Sequence, residues 1–168
     1  MVAAHAIRAL GEIGEESASP RLIALLTEGG PLCDAALDAL GQLDGSDATP
    51  VLVDLLESED PDRRRRTVRA LGRRMTPGVV ERLIRVLEEE GDVRVAVTVI
   101  RLLGEHRAGE AVPVLVNAMN KRPHGLGRDS VYALARIATP DAVAALEEAR
   151  THRWLAAEAD QALEQRDG

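Results

Sequence analysis

Aromatic side chains are almost missing from this chain: it has no Phe, and Tyr132 and Trp154 are its single Tyr and Trp. β-Sandwiches and barrels lean on aromatic and β-branched residues, so an all-β architecture has little to build on here. Platforms that stack single-stranded bases need exposed rings and are excluded on the same ground. Cys33 is the sole cysteine, which rules out an intrachain disulfide and a thiolate zinc site. No apolar run approaches the ~18–20 residues of a membrane span. The opening stretch, Met1–Arg8, lacks the basic start and unbroken apolar segment of a signal peptide, and nothing in Gln165–Gly168 reads as a lipidation signal. The expectation is a chain of the reducing cytoplasm. Excess positive charge is lacking too: 21 Lys and Arg stand against 28 Asp and Glu, a net charge of −7 that argues against global attraction to nucleic acid or anionic membranes. What remains is ample for one ordinary domain, with 168 residues of which 45% are hydrophobic and 29% charged.

What the chain does have is repetition. Leu-Gly recurs at Leu10-Gly11, Leu40-Gly41, Leu71-Gly72 and Leu103-Gly104, and Leu134-Ala135 holds the fifth place. A second leucine follows the first at a constant offset: Leu22, Leu52, Leu83, Leu115 and Leu146. Around the first leucine, Ile7, Leu37, Val68, Ile100 and Val131 stand three residues before, with Ala3, Cys33, Arg64, Ala96 and Gly127 seven before. Ile13, Leu43, Arg74, His106 and Ile137 stand three after. This spacing traces one stripe of an α-helix. Leu22-Ile23, Leu25-Leu26 and their counterparts trace a second helix. Pro20, Pro50 and Pro113 mark its first turn, where a missing N–H costs little, and Pro77 and Pro140 do so slightly earlier in their copies. Glycine in a helix costs about 1 kcal/mol against alanine, so its return at one slot points to close backbone packing or a helix about to end.

A two-helix unit of this size cannot bury its own apolar stripe, whereas stacked copies can. The expected fold is all-α: a right-handed α-solenoid of five helical hairpins and a C-terminal capping helix, forming one domain over 1–168. The expected repeats are 1–32, 33–62, 63–92, 93–126 and 127–150, with the capping helix in 151–168 running from Trp154 to Gln165 and Trp154 over the last open face. The chain opens inside a first helix with no polar cap ahead of it, which fits a frayed start or a piece of a longer array.

Ala9-Leu-Gly-x-x-Gly14, then Ala18-x-Pro-x-Leu22, then Asp60-Pro-Asp62 opening the next copy, resemble the short HEAT-like repeat first named for the phycobilisome lyases. The resemblance covers about residues 2–150. It departs where the family carries Val-Arg after the Asp-Pro turn: the third repeat has Arg63–Arg66 instead, and only Asp92-Val-Arg94 keeps something similar. By analogy with the family, first helices form a convex outer layer and second helices a concave inner one.

Charge is uneven along the array. Residues 1–62 carry 2 Arg and 13 acids, residues 63–126 carry 14 bases and 7 acids, and residues 127–168 carry 5 Arg and 8 acids. Arg63–Arg66 are expected to pair with Asp60 and Asp62 across the repeat junction, or to offer a basic patch to an acidic partner. On the inner layer the solvent-facing slots include Arg21, Ala24, Asp54, Glu57, Ser58, Arg82, Arg85, Asn117, Asn120 and Lys121. Their mixed sign suits a protein surface better than a phosphate-tracking groove. The candidate partner-binding residues are therefore Arg21, Asp54, Glu57, Arg82, Arg85, Asn117, Asn120 and Lys121, with Arg82, Arg85, Asn117, Asn120 and Lys121 at the centre.

Catalytic chemistry has few candidates. His5, His106, His124 and His152 are scattered without metal-ligand spacing, and His106 is expected to be a partly covered helix-end side chain. HEAT-like di-iron hydroxylases carry His-Glu pairs on their first helices, and the matching slots here hold none. Cys33 falls in a buried stripe. Adjacent acids such as Glu88-Glu89-Glu90 do not converge. Pro123–Ser130 reads as an inter-repeat loop, with His124 and Arg128 as contact candidates, and Tyr132 as an exposed contact residue. No cofactor or metal site is expected, and no nucleic acid or membrane as partner. The functional expectation is a non-catalytic scaffold or adaptor that binds a partner protein on its concave face. The resemblance implies an alternative, a subunit of a bilin lyase or isomerase, and more remotely a HEAT-like nucleic-acid binder.

Overall fold

The computed structural model describes residues 2–44, 47–120 and 125–167. Among these the secondary structure is helical, without a strand. Five first helices, α1 (Val2–Ile13), α3 (Cys33–Leu40), α5 (Pro61–Leu71), α7 (Val93–Glu105) and α9 (Gly127–Ile137), alternate with five second helices. These are α2 (Ser19–Glu28), α4 (Thr49–Asp54), α6 (Pro77–Glu89), α8 (Val112–Asn120) and α10 (Pro140–Ala149), and α11 (Ala156–Asp167) follows. The five hairpins and the additional helix are those the repeat spacing predicts. The last helix begins two residues later than expected, because Thr151–Leu155 form turns.

The repeated motifs perform the local tasks their chemistry suggests. Pro20, Pro50, Pro77, Pro113 and Pro140 each stand in the first turn of a second helix. Asp60 caps α5 by accepting from the Asp62 N–H (2.9 Å), with Pro61 as the first helical residue. Asp92 caps α7 by accepting from the Arg94 and Val95 N–H groups at 2.9 and 3.3 Å, which holds its carboxyl below the ordinary value, the Arg94 side chain being the largest cause. The second glycine of Gly11-x-x-Gly14 ends α1 in the left-handed region (φ 75°), where the Gly14 and Glu15 N–H groups reach back to Gly11 and Leu10 carbonyls. The same slot holds Arg107 (φ 51°) and Ala138 (φ 56°) in the fourth and fifth repeats.

The chain comprises two compact units, residues 1–79 and 80–168. In the first, α1 packs on α3 and α3 on α5, while α2 packs against α3 and α4, and α4 against α5. In the second, α7 packs on α9 and α9 on α11, while α8 and α10 pack against α9 and each other. Each unit thus lays first helices on first helices, with second helices against them. The tandem leucines are the core: Leu40, Leu71, Leu103 and Leu134 are fully enclosed, as are Leu22, Leu52, Leu83, Leu115 and Leu146. Each such side chain contributes about 1.5–3 kcal/mol of apolar burial.

Both expectations for the recurrent glycine hold, close backbone packing at Gly11 and Gly104 and a helix end at Gly41 and Gly72. A Cβ on Gly11 would stand 2.7 Å from Ala39 Cα, and one on Gly104 would stand 2.7 Å from Ala133 Cα. Gly41 faces Ala70 Cα more loosely, at 3.2 Å. Gly11, Gly41 and Gly104 therefore each face the alanine that precedes the tandem leucine of the next repeat. At the other end of the chain, a Cβ on Gly127 would meet the Trp154 ring at 2.6 Å, so the single tryptophan lies over α9 as a cover.

Candidate functional site

Polar side chains between consecutive first helices are used mostly on one another. Arg66 donates through Nη1 to both oxygens of Asp38 (2.8 and 2.7 Å), which raises its pKa above the ordinary guanidinium value. Asp38 also lies 3.9 Å from Arg8, Arg63 lies 3.8 Å from Asp34, and Arg73 lies 3.0 Å from Asp44. The arginine run of the third repeat thus neutralises acids of the second. Of the expected junction acids, Asp62 pairs with Arg65 at 3.3 Å. The correction has a simple geometric cause: on a first helix, residues four apart face the neighbouring helix, while Asp60 turns inward as a cap. In the second unit Arg101 pairs with Asp129 (2.8 Å) and Arg136 with Glu105 (3.5 Å), and Tyr132 donates to Gln161 Oε1 (3.1 Å). Tyr132 is half-buried between α9 and α11, with the Arg128 guanidinium 5.7 Å from its ring centre.

Arg74 is the buried charge of the first unit. Its guanidinium donates to the Leu40, Leu43 and Ala70 carbonyls, each at 2.8 Å. It closes the C-terminus of α3 from the following repeat, and burial lowers its pKa. The apolar stripe slot that it occupies gave the only sequence signal: a long cation where the other copies hold Ile13, Leu43 and Ile137.

The sequence-predicted contact residues fall in both units. In the first, Arg21 is exposed on α2 and pairs with Glu28 at 3.3 Å. Asp54 is exposed at the end of α4, and Glu57 is exposed in the 3₁₀ turn Leu55–Glu57. Ala24 and Ser58 are half-buried rather than solvent-facing. In the second, Arg85 is exposed and pairs with Glu81 one turn away, while Arg82 is half-buried on α6. Asn117 and Asn120 are exposed on α8, and Lys121 and His124 lie outside the described residues.

Of these, Asn117 lines a formed cleft. Leu87, Glu90 and Gly91 at the end of α6, Val93 and Ala96 of α7, Val114, Asn117 and Ala118 of α8, and Leu126 enclose about 230 Å³. Most of its lining side chains are apolar, and Asn117 and Glu90 are the polar ones. Glu90 accepts from the Asp92 N–H at 2.8 Å, so the turn before α7 holds it in place. Small-molecule sites run to roughly 300–1,000 Å³. This cleft falls below that range, and the Asn117 side chain can both donate and accept. Sequence reading missed Glu90 and Leu87 because the helix period puts Leu87 in the apolar stripe and Glu90 among adjacent surface acids.

The groups that could do covalent chemistry are spread out. Cys33 is 1% exposed and packs as a small apolar side chain. His106 is exposed after α7, not partly covered, since the helix ends beneath it. His152 sits edge-on to Trp154 at 6.3 Å. Among the described residues no three His, Cys, Asp or Glu side chains converge as metal ligands, and no helix is long and apolar enough to cross a membrane.

The family model of HEAT repeats matches residues 33–97 and 80–164, and that of the PBS lyase HEAT-like repeat matches residues 2–28. No curated protein matches the chain. Among solved structures, a chain from "The structure of the complex of CpcE and CpcF of phycocyanin lyase from Nostoc sp. PCC7120" has a similar fold, with a TM-score of 0.67 and 20% identity. The alignment covers 88% of this chain and 98% of that one.

Proposed function

Because the chain belongs to the HEAT-repeat family, we propose that it is a protein-binding subunit of a bilin lyase or isomerase-type enzyme, working joined to a partner protein. The observation that carries this reading is the extent of the fold match: nearly the whole of a phycocyanin-lyase chain superimposes on nearly the whole of this one. The match of residues 2–28 to the PBS lyase HEAT-like repeat supports it independently. The chain's own residues fit a holding role within such an enzyme. They present paired ions, amides and a small cleft on helices already formed within each unit, which lose little ordering entropy on binding. The enclosed Cys33 thiol serves the core.

The test is reconstitution with an apo-phycobiliprotein, a bilin and a second lyase-type HEAT chain. Covalent bilin on the phycobiliprotein, seen as zinc-enhanced fluorescence in a denaturing gel and dependent on this chain, is the expected result. Absence of any adduct that depends on this chain overturns the lyase reading.

A second reading, a non-catalytic scaffold, is favoured by the Asn117 cleft. In it, Arg21, Asp54, Glu57, Arg82, Arg85, Asn117, Asn120 and Lys121 contact a partner protein. Reversing Arg82 and Arg85 to Glu should then cut recovery of that partner in a pull-down. Unchanged recovery removes those residues from the contact.

A further inference from the structure

The position two residues before the tandem leucine is charged in four repeats, at Arg8, Asp38, Arg69 and Arg101, and is Tyr132 in the fifth. Two clefts of the second unit meet at that side chain. One, of about 290 Å³ between α7 and α9, is lined by Arg101, Glu105, Asp129, Tyr132, Ala133 and Arg136. The other, of about 250 Å³ between α9 and α11, is lined by Tyr132, Ala135, Arg136, Ala162 and Gln165. Tyr132 and Arg136, about one turn apart on α9, belong to both. Each cleft alone falls below the roughly 300–1,000 Å³ of small-molecule sites, and a ligand lying across the shared residues has the use of both.

The tyrosine is held from two sides. Its hydroxyl donates to Gln161 of α11 at 3.1 Å, and the Arg128 guanidinium lies 5.7 Å from its ring centre. The alanines beside it, Ala133, Ala135 and Ala162, bring little bulk, so a flat apolar body has a ring to lie against.

The charges select the ligand's polar end. Arg101 holds Asp129 at 2.8 Å, and that carboxylate is mostly enclosed. Arg136 and Glu105 are 3.5 Å apart, and both are more than half exposed. An exposed pair of that length contributes little, so a ligand carboxylate can take the place of Glu105 at low cost. The guanidinium fork receives a carboxylate through two parallel N–H donors. Exchanging one carboxylate for another leaves the local charge unchanged, whereas a phosphate dianion would add a negative charge beside Asp129.

We propose that the clefts meeting at Tyr132 and Arg136 bind a small aromatic monocarboxylate, its carboxylate on the Arg136 guanidinium and its ring against Tyr132. Clefts of this size admit one or two fused rings and not the four pyrroles of a bilin, so this site goes beyond the function proposed above and does not depend on it.

The probe is naphthoate, titrated into the isotope-labelled full chain and followed by amide NMR. The expected result is saturable shifts centred on the Tyr132–Arg136 amides and on Glu105, with a Kd of about 1 mM or tighter. Neutral naphthamide and inorganic phosphate should each bind at least about tenfold more weakly. Arg136→Gln and Tyr132→Leu should each weaken naphthoate by about tenfold, and Glu105→Gln should strengthen it by about threefold by removing the competing carboxylate. No saturable shift, shifts centred elsewhere, or equal binding of naphthamide or phosphate overturns the proposal. So does an affinity unmoved by Arg136→Gln in a variant whose spectrum otherwise matches the parent. Should Tyr132→Leu disturb the fold, Glu105→Gln still decides, because weaker binding by that variant overturns the exchange at Arg136. Naphthoate binding by a chain that supports no bilin transfer would count against the lyase reading alone and leave this site standing.

Discussion

Replacing Gly104 by alanine tests the packing rule on which the fold depends. The added Cβ would lie 2.7 Å from Ala133 Cα and 2.8 Å from Ala133 Cβ. Carbon atoms rest at about 3.5–4.0 Å, so α7 and α9 would have to part by on the order of 1 Å. Neither obstacle is a flexible side-chain end, so the strain falls on two helices that carry fully enclosed Leu103 and Leu134. Overpacking of this kind costs about 1–3 kcal/mol, while alanine regains up to about 1 kcal/mol of helix propensity, leaving a net loss of about 1–2 kcal/mol. Two glycines serve as controls. Gly41 would place its Cβ at 3.2–3.4 Å from Ala70 and the Asp38 carbonyl, so strain and propensity should nearly cancel. Gly78, in the first turn of α6, has nothing within 4 Å, and Gly78→Ala should stabilise by about 0.5–1 kcal/mol. Urea unfolding followed by far-ultraviolet circular dichroism ranks the three. If Gly104→Ala proves as stable as Gly78→Ala, the close-contact explanation of the repeated glycine is wrong.

Other consequences follow from the same structure. Arg74→Met keeps the length of the side chain but leaves the Leu40, Leu43 and Ala70 carbonyls without the guanidinium, and should destabilise by about 2–4 kcal/mol in urea unfolding. Arg107→Gly and Ala138→Gly relieve the left-handed backbone at those slots and should each raise stability by about 0.5–1 kcal/mol, seen as a higher thermal midpoint. The Asp92 carboxyl is held below its ordinary value in the folded chain, so its stabilising effect is complete above the unfolded carboxylate value and is lost as pH falls through the lower, folded one. Asp92→Asn should therefore flatten the acid limb of the stability profile, measured by denaturation between neutral pH and about pH 2. An unchanged acid limb would refute the role of that carboxylate.

Much of this molecule is written at the level of residue type and spacing. Leucines at a fixed step, prolines one turn into the second helices and the Asp60-Pro61 cap specify hairpins because helix period, missing N–H groups and capping are local effects that a sequence displays directly. The small residue after the tandem leucine pointed to a close approach or a helix end, although not to the alanine before the next leucine as its counterpart. Tertiary structure alone decided which charges meet. Arg66 reaches Asp38 and Arg63 reaches Asp34, 28 and 29 residues back, because partner choice depends on the rotation of one helix against its neighbour. It likewise decided that Arg74 turns inward to three carbonyls and that Glu90 joins Asn117 at one cleft. Each of these is a property of two surfaces brought together, and a single helix carries only its own half.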